Sequence, residues 1–229
     1  MPSSRAIILA GGEFPPPDWL KSVYKPNDFV IAADRGALLA EAARIPIDIL
    51  IGDFDSLPQG ITFSASAPRQ IKQFPPEKDY SDAELALMTA SEQSIGEAII
   101  VAALGGRLDH CLFNVIALLE KADRLGIKAA LVSPECQVFQ LAAGQRQQLE
   151  YPAGSWCSII SLESSSTVTM DGLLYSCTAL TLERASTRGL SNAITDETKA
   201  NITVLSGRIL VIVSAASNAI NLRNQWHCF

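Results

Sequence analysis

The sequence predicts an α/β domain with a parallel, Rossmann-like sheet, followed by an antiparallel β-sandwich. Three observations predict it. Over residues 6–135, short apolar runs alternate with segments of helical composition, the signature of βαβ units and a parallel sheet. After about residue 136 the helical segments stop, and β-branched runs parted by Gly, Ser and Asp take over. The unusual polar residues of the first half gather where its apolar runs end, which is where open α/β sheets bind ligands. The expected domains are 1–136 and 137–229, joined near "PECQVFQLAAGQ" (134–145).

Element by element, "AIILA" (6–10) reads as the first strand and stops at Gly11-Gly12. "DFVIAA" (28–33) reads as the second, ending at Asp34, and the Ala/Leu content of "GALLAEAARI" favours a helix after it. "IDILIG" (47–52) is a strand that delivers Asp53 and Asp55, and "RQIKQF" (69–74) is a weaker one stopped by Pro75-Pro76. Ser81 and Glu84 form a capping-box signature at the head of "SDAELALMTASEQS". "EAIIVAAL" (97–104) is a strand ending at Gly105-Gly106, and "HCLFNVIALLEKADRLG" (110–126) is an amphipathic helix closed by glycine. "KAALVS" (128–133) completes the series. In the second half, "SWCSIISLE", "STVTMDG", "LLYSCTALTLE", "ANITVLS" and "RILVIVS" are the expected strands. There is no repeat at periods of 20 to 50 residues.

Bulk properties narrow the function. A 229-residue chain that is 48% hydrophobic and 18% charged has material for a real core. Its net charge of −6 argues against nucleic-acid or anionic-membrane partners, and suits a cationic ligand. No apolar stretch approaches the roughly 18 residues of a membrane span, and the apolar run after Arg5 is too short for a signal-peptide core. Cys111, Cys136, Cys157, Cys177 and Cys228 show no CxxC spacing and are odd in number, so reduced thiols and a cytoplasmic location are expected. With only His110 and His227, a histidine metal centre or a Ser-His-Asp triad has little to build on.

Five polar groups carry the chemistry. In "GDFDS", an extended chain points Asp53 and Asp55 to one side, where two carboxylates need a cation or a raised pKa; the bland account is an acidic turn. Hard oxygens in this number suit Mg²⁺. In "PPEKDYSDAE", Asp82 falls in the first helical turn, where the dipole favours a carboxylate whatever the function. Lys78 beside it resembles a phosphate handle, and Asp79 is not explained by the helix. In "ALGGRLDH", the glycine pair allows a sharp turn and close approach of a phosphate, Arg107 forks onto phosphate oxygens, and Asp109 is also a natural N-cap. Asp34-Arg35 ends the second strand. "RGLSNAIT" offers Ser191 and Asn192 to an amino-substituted heterocycle, or is merely a turn between strands. GxxxxGK[ST] and GxGxxG are both missing, which excludes an ordinary P-loop kinase and a standard dinucleotide site.

In order, "AADRGA", "IGDFDS", "KDYSDAELAL", "ALGGRLDH", "GLSNA" and the final "SGRILVIV" resemble thiamine pyrophosphokinases over residues 32–213. The resemblance implies an ATP/Mg-binding catalytic domain, a thiamine-binding β-sandwich, and a homodimer with its sites between subunits. It implies transfer of a pyrophosphoryl group from ATP to the hydroxyl of thiamine, giving thiamine diphosphate and AMP. The family's metal carboxylates fall on Asp53, Asp55 and Asp82. Lys78, Asp79, Arg107 and Asp109 take the catalytic positions, and Gly12, Asp34, Arg35, Gly105, Gly106 and Arg107 the nucleotide side. Asp109, Ser191 and Asn192 meet thiamine, the last two at its aminopyrimidine. Some members stack thiamine on a tryptophan just before the last strand, whereas this chain has no aromatic residue between Ser191 and Ile209. A pterin-alcohol pyrophosphokinase would not need "GLSNA", and a binding protein without turnover would not need three metal-directed carboxylates.

Overall fold

The computed structural model describes residues 5–58, 60–195 and 200–215, so the tail "NLRNQWHCF", with His227 and Cys228, lies outside the described residues. The chain divides into two compact units, Met1–Ser133 and Pro134–Phe229.

Unit 1 holds β1 (Arg5–Leu9), β2 (Phe29–Ala33), β3 (Ile49–Gly52), β4 (Gln70–Gln73), β5 (Glu97–Val101) and β6 (Lys128–Val132). They lie in the order β6-β5-β1-β2-β3-β4, and every pair is parallel. β1 is buried at every position, which is why its sequence is a continuous apolar run rather than an alternating one. Ile7, Ile8, Leu9, Ile31, Ile51 and Ile99 form the heart of this core. β4 closes one edge and is mostly exposed, and its sequence QIKQ suits an edge that must not pair further. The one charged residue of β1, Arg5, is buried against Asp28, with its Nε and one terminal amine 2.7 and 2.6 Å from the carboxylate oxygens.

The helices are α1 (Pro17–Val23), α2 (Gly36–Ala43), α3 (Asp82–Glu92), α4 (Leu108–Phe113) and α5 (Leu119–Arg124). α1 was not signalled by hydrophobic periodicity; its cue is Pro17, preset for the first helical turn. The expected capping box at the head of α3 forms: Ser81 Oγ accepts from Glu84 N, and Glu84 Oε2 accepts from Ser81 N. The single helix expected over 110–126 begins earlier and contains a π-turn, Asn114–Leu118, between α4 and α5. There Asn114 Nδ2 donates to Ala103 O at 2.8 Å, tying the helix to the loop after β5. π-turns inside α-helices recur at functional sites. Among the described residues no helix is long and apolar enough to cross a membrane.

Unit 2 is built from two four-stranded antiparallel sheets. One takes β7 (Cys136–Ala142), β9 (Trp156–Ser161), β12 (Asn192–Ala193) and β14 (Arg208–Ser214), in the order β12-β9-β14-β7. The other takes β8 (Arg146–Leu149), β10 (Ser165–Asp171), β11 (Cys177–Glu183) and β13 (Ala200–Ser206), in the order β11-β10-β13-β8. Phe139, Cys157, Val168, Ile202 and Val211 are buried in it. Burial pushes the Cys157 thiol up to about 12, so it packs as a small apolar group. The stretch near which the domain boundary was expected holds β7, paired along its whole length with the last described strand, with Phe139 opposite Val211. A partner some seventy positions away supplies that order, and no local signal announces it.

Candidate active site

β1 lies between β2 and β5. The chain runs out through β2, β3 and β4 and returns to β5 on the other side, so the loops leaving β1 and β5 diverge. Open α/β sheets bind ligands at such a switch point. Gly12 N donates to Ala102 O at 2.9 Å across the gap. A Cβ at position 12 would stand 2.5 Å from that oxygen, so only glycine lets the loops touch. Past the contact, Ala102, Gly105 and Gly106 all take left-handed backbone (φ 57, 83 and 71), which curls the loop away from the strand axis. A cleft of about 990 Å³ opens here, at the upper end of the range for small-molecule sites.

Next to it β2 ends in Asp34, itself left-handed (φ 47), with its N–H donated to Ile51 O at 2.8 Å. Gly52 packs so closely that an added Cβ would lie 3.3 Å from Asp34 Cβ. The ends of β2 and β3 are thereby pressed together. Asp34, Asp53 and Asp55 can each bring one carboxylate oxygen within 4.8 Å of the others. The extended path expected through Asp53 and Asp55 does not exist. Phe54 is left-handed (φ 66) and Asp55 N donates to Asp53 Oδ1 at 3.2 Å, so a tight side-chain-closed turn makes the two converge. Asp34 Oδ1 is buried and has no hydrogen-bond partner among the described residues. A buried carboxylate oxygen left unmatched is costly unless a cation completes it. Three hard oxygen donors with one such orphan fit a divalent cation of the Mg²⁺ type.

Lys78 stands on the other side of this group. Its Nζ donates to Asp53 Oδ2 at 2.8 Å and lies 3.2 Å from Asp82 Oδ1, with all three side chains mostly buried. Lys78's hydrogen bond draws the Asp53 carboxyl below its usual range, helped by the Asp55 N–H. Burial pulls the Lys78 ammonium down, but hydrogen bonds and charge from Asp53 and Asp82 outweigh it, so its pKa rises. Asp82 goes up, chiefly by burial; Lys78 opposes this and the charges of Asp53 and Asp34 add to it. Two carboxylates bracketing one ammonium thus differ in proton affinity because one is desolvated.

The cleft is also lined by Arg35, Asp79, Gly105, Gly106 and Arg107. Arg35 lies 5.5 Å from the centre of the Phe14 ring. Arg107 grips Asp109 in a forked pair, Nε to Oδ1 at 3.1 Å and a terminal amine to Oδ2 at 2.6 Å, on an exposed rim. That grip draws the Asp109 carboxyl down to about 2. Asp109 is not the N-cap of its helix: α4 begins at Leu108 with Arg107 in the capping position, and the carboxylate turns back to the guanidinium. Sequence reasoning missed Glu13, Phe14, Tyr80, His110 and Asn114, all on the cleft wall. His110 and Asn114 follow "GGRLD" on one helix, and that spacing was the available cue.

Ser191 and Asn192 belong to unit 2. Ser191 is left-handed (φ 57) and its N–H donates to Ser158 Oγ at 3.0 Å. Asn192 is buried, and its amide binds backbone at Tyr175 and Ala193. It lines a cavity of about 400 Å³ between the two sheets.

Comparison with known proteins matches both units. Residues 20–130 match the family model "Thiamin pyrophosphokinase, catalytic domain", and residues 145–209 match "Thiamin pyrophosphokinase, vitamin B1 binding domain". A thiamine pyrophosphokinase of Bacillus subtilis (strain 168) is 29% identical over 168 residues, covering 72% of this chain and 77% of that protein. Among solved structures, a thiamine pyrophosphokinase from Bacillus subtilis superposes with a TM-score of 0.82 at 25% identity, covering 93% of this chain and 100% of that one. One from Geobacillus thermodenitrificans gives 0.78 at 26% identity, covering 94% and 100%.

Proposed function

The chain belongs to the thiamine pyrophosphokinase family, and from that premise we propose that it moves a pyrophosphoryl group from ATP to thiamine, giving thiamine diphosphate and AMP. The observation that carries this reading is a switch-point cleft lined by Asp34, Lys78, Asp82 and Arg107, whose Asp34 converges with Asp53 and Asp55 behind it and whose Lys78 is paired with Asp53. Phosphoryl transfer asks little covalent work of a protein, and much positioning and charge neutralisation.

In the proposed reaction the thiamine hydroxyl oxygen forms a bond to the β-phosphorus of ATP. The bond from that phosphorus to the α–β bridging oxygen breaks, and AMP carries the electron pair away. Lys78 and Arg107 supply positive charge to the phosphate oxygens, and the backbone at Gly12, Gly105 and Gly106 leaves room for them. Of the two carboxylates suited to orient the hydroxyl, Asp109 is already engaged at both oxygens by Arg107. We therefore assign the hydroxyl to Asp79, on the cleft wall. Mg²⁺ would be held by Asp53 and Asp55 with Asp34, and by Asp82 once Lys78 turns to a phosphate. Bound there, it supplies charge neutralisation of the triphosphate. The acidic balance of the cleft suits the thiazolium cation, and unit 2 is the receiver of the thiamine rings.

The same reading includes a homodimer with sites between subunits and a cytoplasmic location. Leu108, Leu112, Phe113 and Ile116, 52 to 73% exposed along α4 and the π-turn, support self-association. Light scattering on the purified chain tests this, a monomer at micromolar concentration being the adverse result. For the reaction, the protein is given thiamine, ATP and Mg²⁺ and the nucleotide product is identified. AMP supports the reading. ADP, or turnover of a pterin alcohol but not of thiamine, overturns it.

A further inference from the structure

Asn114 joins two features of the cleft in unit 1. It is the first residue of the π-turn, and its Nδ2 donates to Ala103 O at 2.8 Å. Ala103 is buried, so a carbonyl cut off from water there needs a donor. The residue before it, Ala102, holds left-handed backbone (φ 57), which a side chain disfavours and which persists only where the surroundings enforce it. Two bonds from outside the loop do so: Gly12 N on Ala102 O at 2.9 Å, and Asn114 on Ala103 O. Past this clamp come Gly105 and Gly106, both exposed and left-handed, and then Arg107 on the cleft wall. Two glycines hold no course of their own. The aim of Arg107 therefore depends on where the clamp releases the chain and where α4 takes it up.

The π-turn accounts for how Asn114 reaches the loop. Leu118, Leu119 and Ala122 are buried and fix the rotation of α5, whereas α4 buries no residue. A π-turn inserts one residue into a helix and so rotates its N-terminal side by about 100° relative to an uninterrupted one. His110 and Asn114, four apart and hence on one face, both reach the cleft wall. We infer that Asn114 is a positioning residue for the phosphates of the nucleotide, acting through Ala103 on the turn that presents Arg107, and that the π-turn is the device that aims it. The inference rests on the use of ATP proposed above and adds a residue that acts on the substrate only through the loop.

Calorimetry and steady-state kinetics on the full chain test it. Asn114→Ala weakens the binding of ATP with Mg²⁺, titrated without thiamine, about tenfold, and raises the KM for ATP by a similar factor. The KM for thiamine stays within about twofold, a split that a general loss of structure would not give. Asn114→Leu keeps the shape of the side chain and removes the donor without adding charge. It shows the same loss, and it decides the matter if the alanine variant does not fold. In an Arg107→Ala background the further cost of Asn114→Ala is below about twofold, because both act through one turn. Unchanged ATP affinity in the Asn114 variants overturns the inference, as do losses that multiply in the double variant or equal rises in both KM values. If the wild type binds ATP but does not convert thiamine, the functional reading fails, and the ATP titrations still judge Asn114.

Discussion

Lys78 Nζ and Asp53 Oδ2 stand 2.8 Å apart with 13% of each side chain exposed, so an internal ammonium occupies the flank of the carboxylate cluster. Lys78→Met is expected to lower kcat at least about a hundredfold, because charge stabilisation of this kind contributes several kcal/mol in a shielded site. Thiamine affinity, measured by calorimetry, should change little. Retention of a tenth or more of wild-type kcat would mean that Lys78 only neutralises Asp53.

Asp82 yields the opposite of the usual trade. Its folded pKa is raised, chiefly by burial, so its stabilising contribution is complete below the unfolded value of 3.8 and is lost as pH rises through the folded one. At neutral pH the charge is a cost. Asp82→Asn should therefore raise Tm by about 2 °C at pH 7 and not at pH 3, while turnover falls at least about tenfold. Calorimetric scans at the two pH values decide it; a lower Tm at pH 7 would sink the argument.

Asp34 and Asp55 should behave as a metal pair. Asp34→Asn and Asp55→Asn are each expected to raise the Mg²⁺ concentration for half-maximal turnover about tenfold or more, and chelation should abolish turnover in the wild type. Near-normal Mg²⁺ dependence in Asp55→Asn would leave it a turn residue, held by Asp53 and Ser56.

Gly36 opens α2 against the end of β1, where an added Cβ would sit 1.9 Å from Leu9 O. Backbone cannot swing aside as a side chain can. Gly36→Ala should cost about 1–3 kcal/mol, read as a lower urea midpoint at unchanged slope. An unaltered midpoint would show that the helix start moves freely.

Glu41 anchors the loop before β4: Ser64 and Ser66 each give it backbone N–H and hydroxyl, and Ala65 its N–H. These bonds, led by the Ser64 and Ser66 hydroxyls, draw its pKa from 4.5 down to about 2. A depressed carboxyl stabilises above its unfolded pKa, and that contribution is lost as pH falls through the folded one. The difference in stability between wild type and Glu41→Gln should shrink between pH 4.5 and 2. A difference that stays constant over that window would assign the effect to packing.

Much of this was legible because it is local. The capping box of Ser81 and Glu84 depends on residues three apart, and β1, β3 and β5 announce themselves as apolar runs that stop at Gly11, Asp53 and Gly105. β7 was hidden because its order comes from distant β14, and α1 because seven residues that open on the last of three prolines carry almost no periodic signal. The turn at Phe54 was misread because a left-handed phenylalanine has no sequence signature.

The sequence by itself determined the alternation of strands and helices, the change to β-structure in the second half, and the polar residues that end each strand. Those depend on side-chain period and on turn chemistry, which neighbours decide. Only the tertiary structure decided that Asp34 stands with Asp53 and Asp55, that Lys78 bridges Asp53 and Asp82, and that Asn192 spends its amide on Tyr175. Apart from Lys78 and Asp82, which are four positions apart, these contacts join residues 17 to 25 positions apart, and the strand order, which no local propensity encodes, sets which strand ends meet.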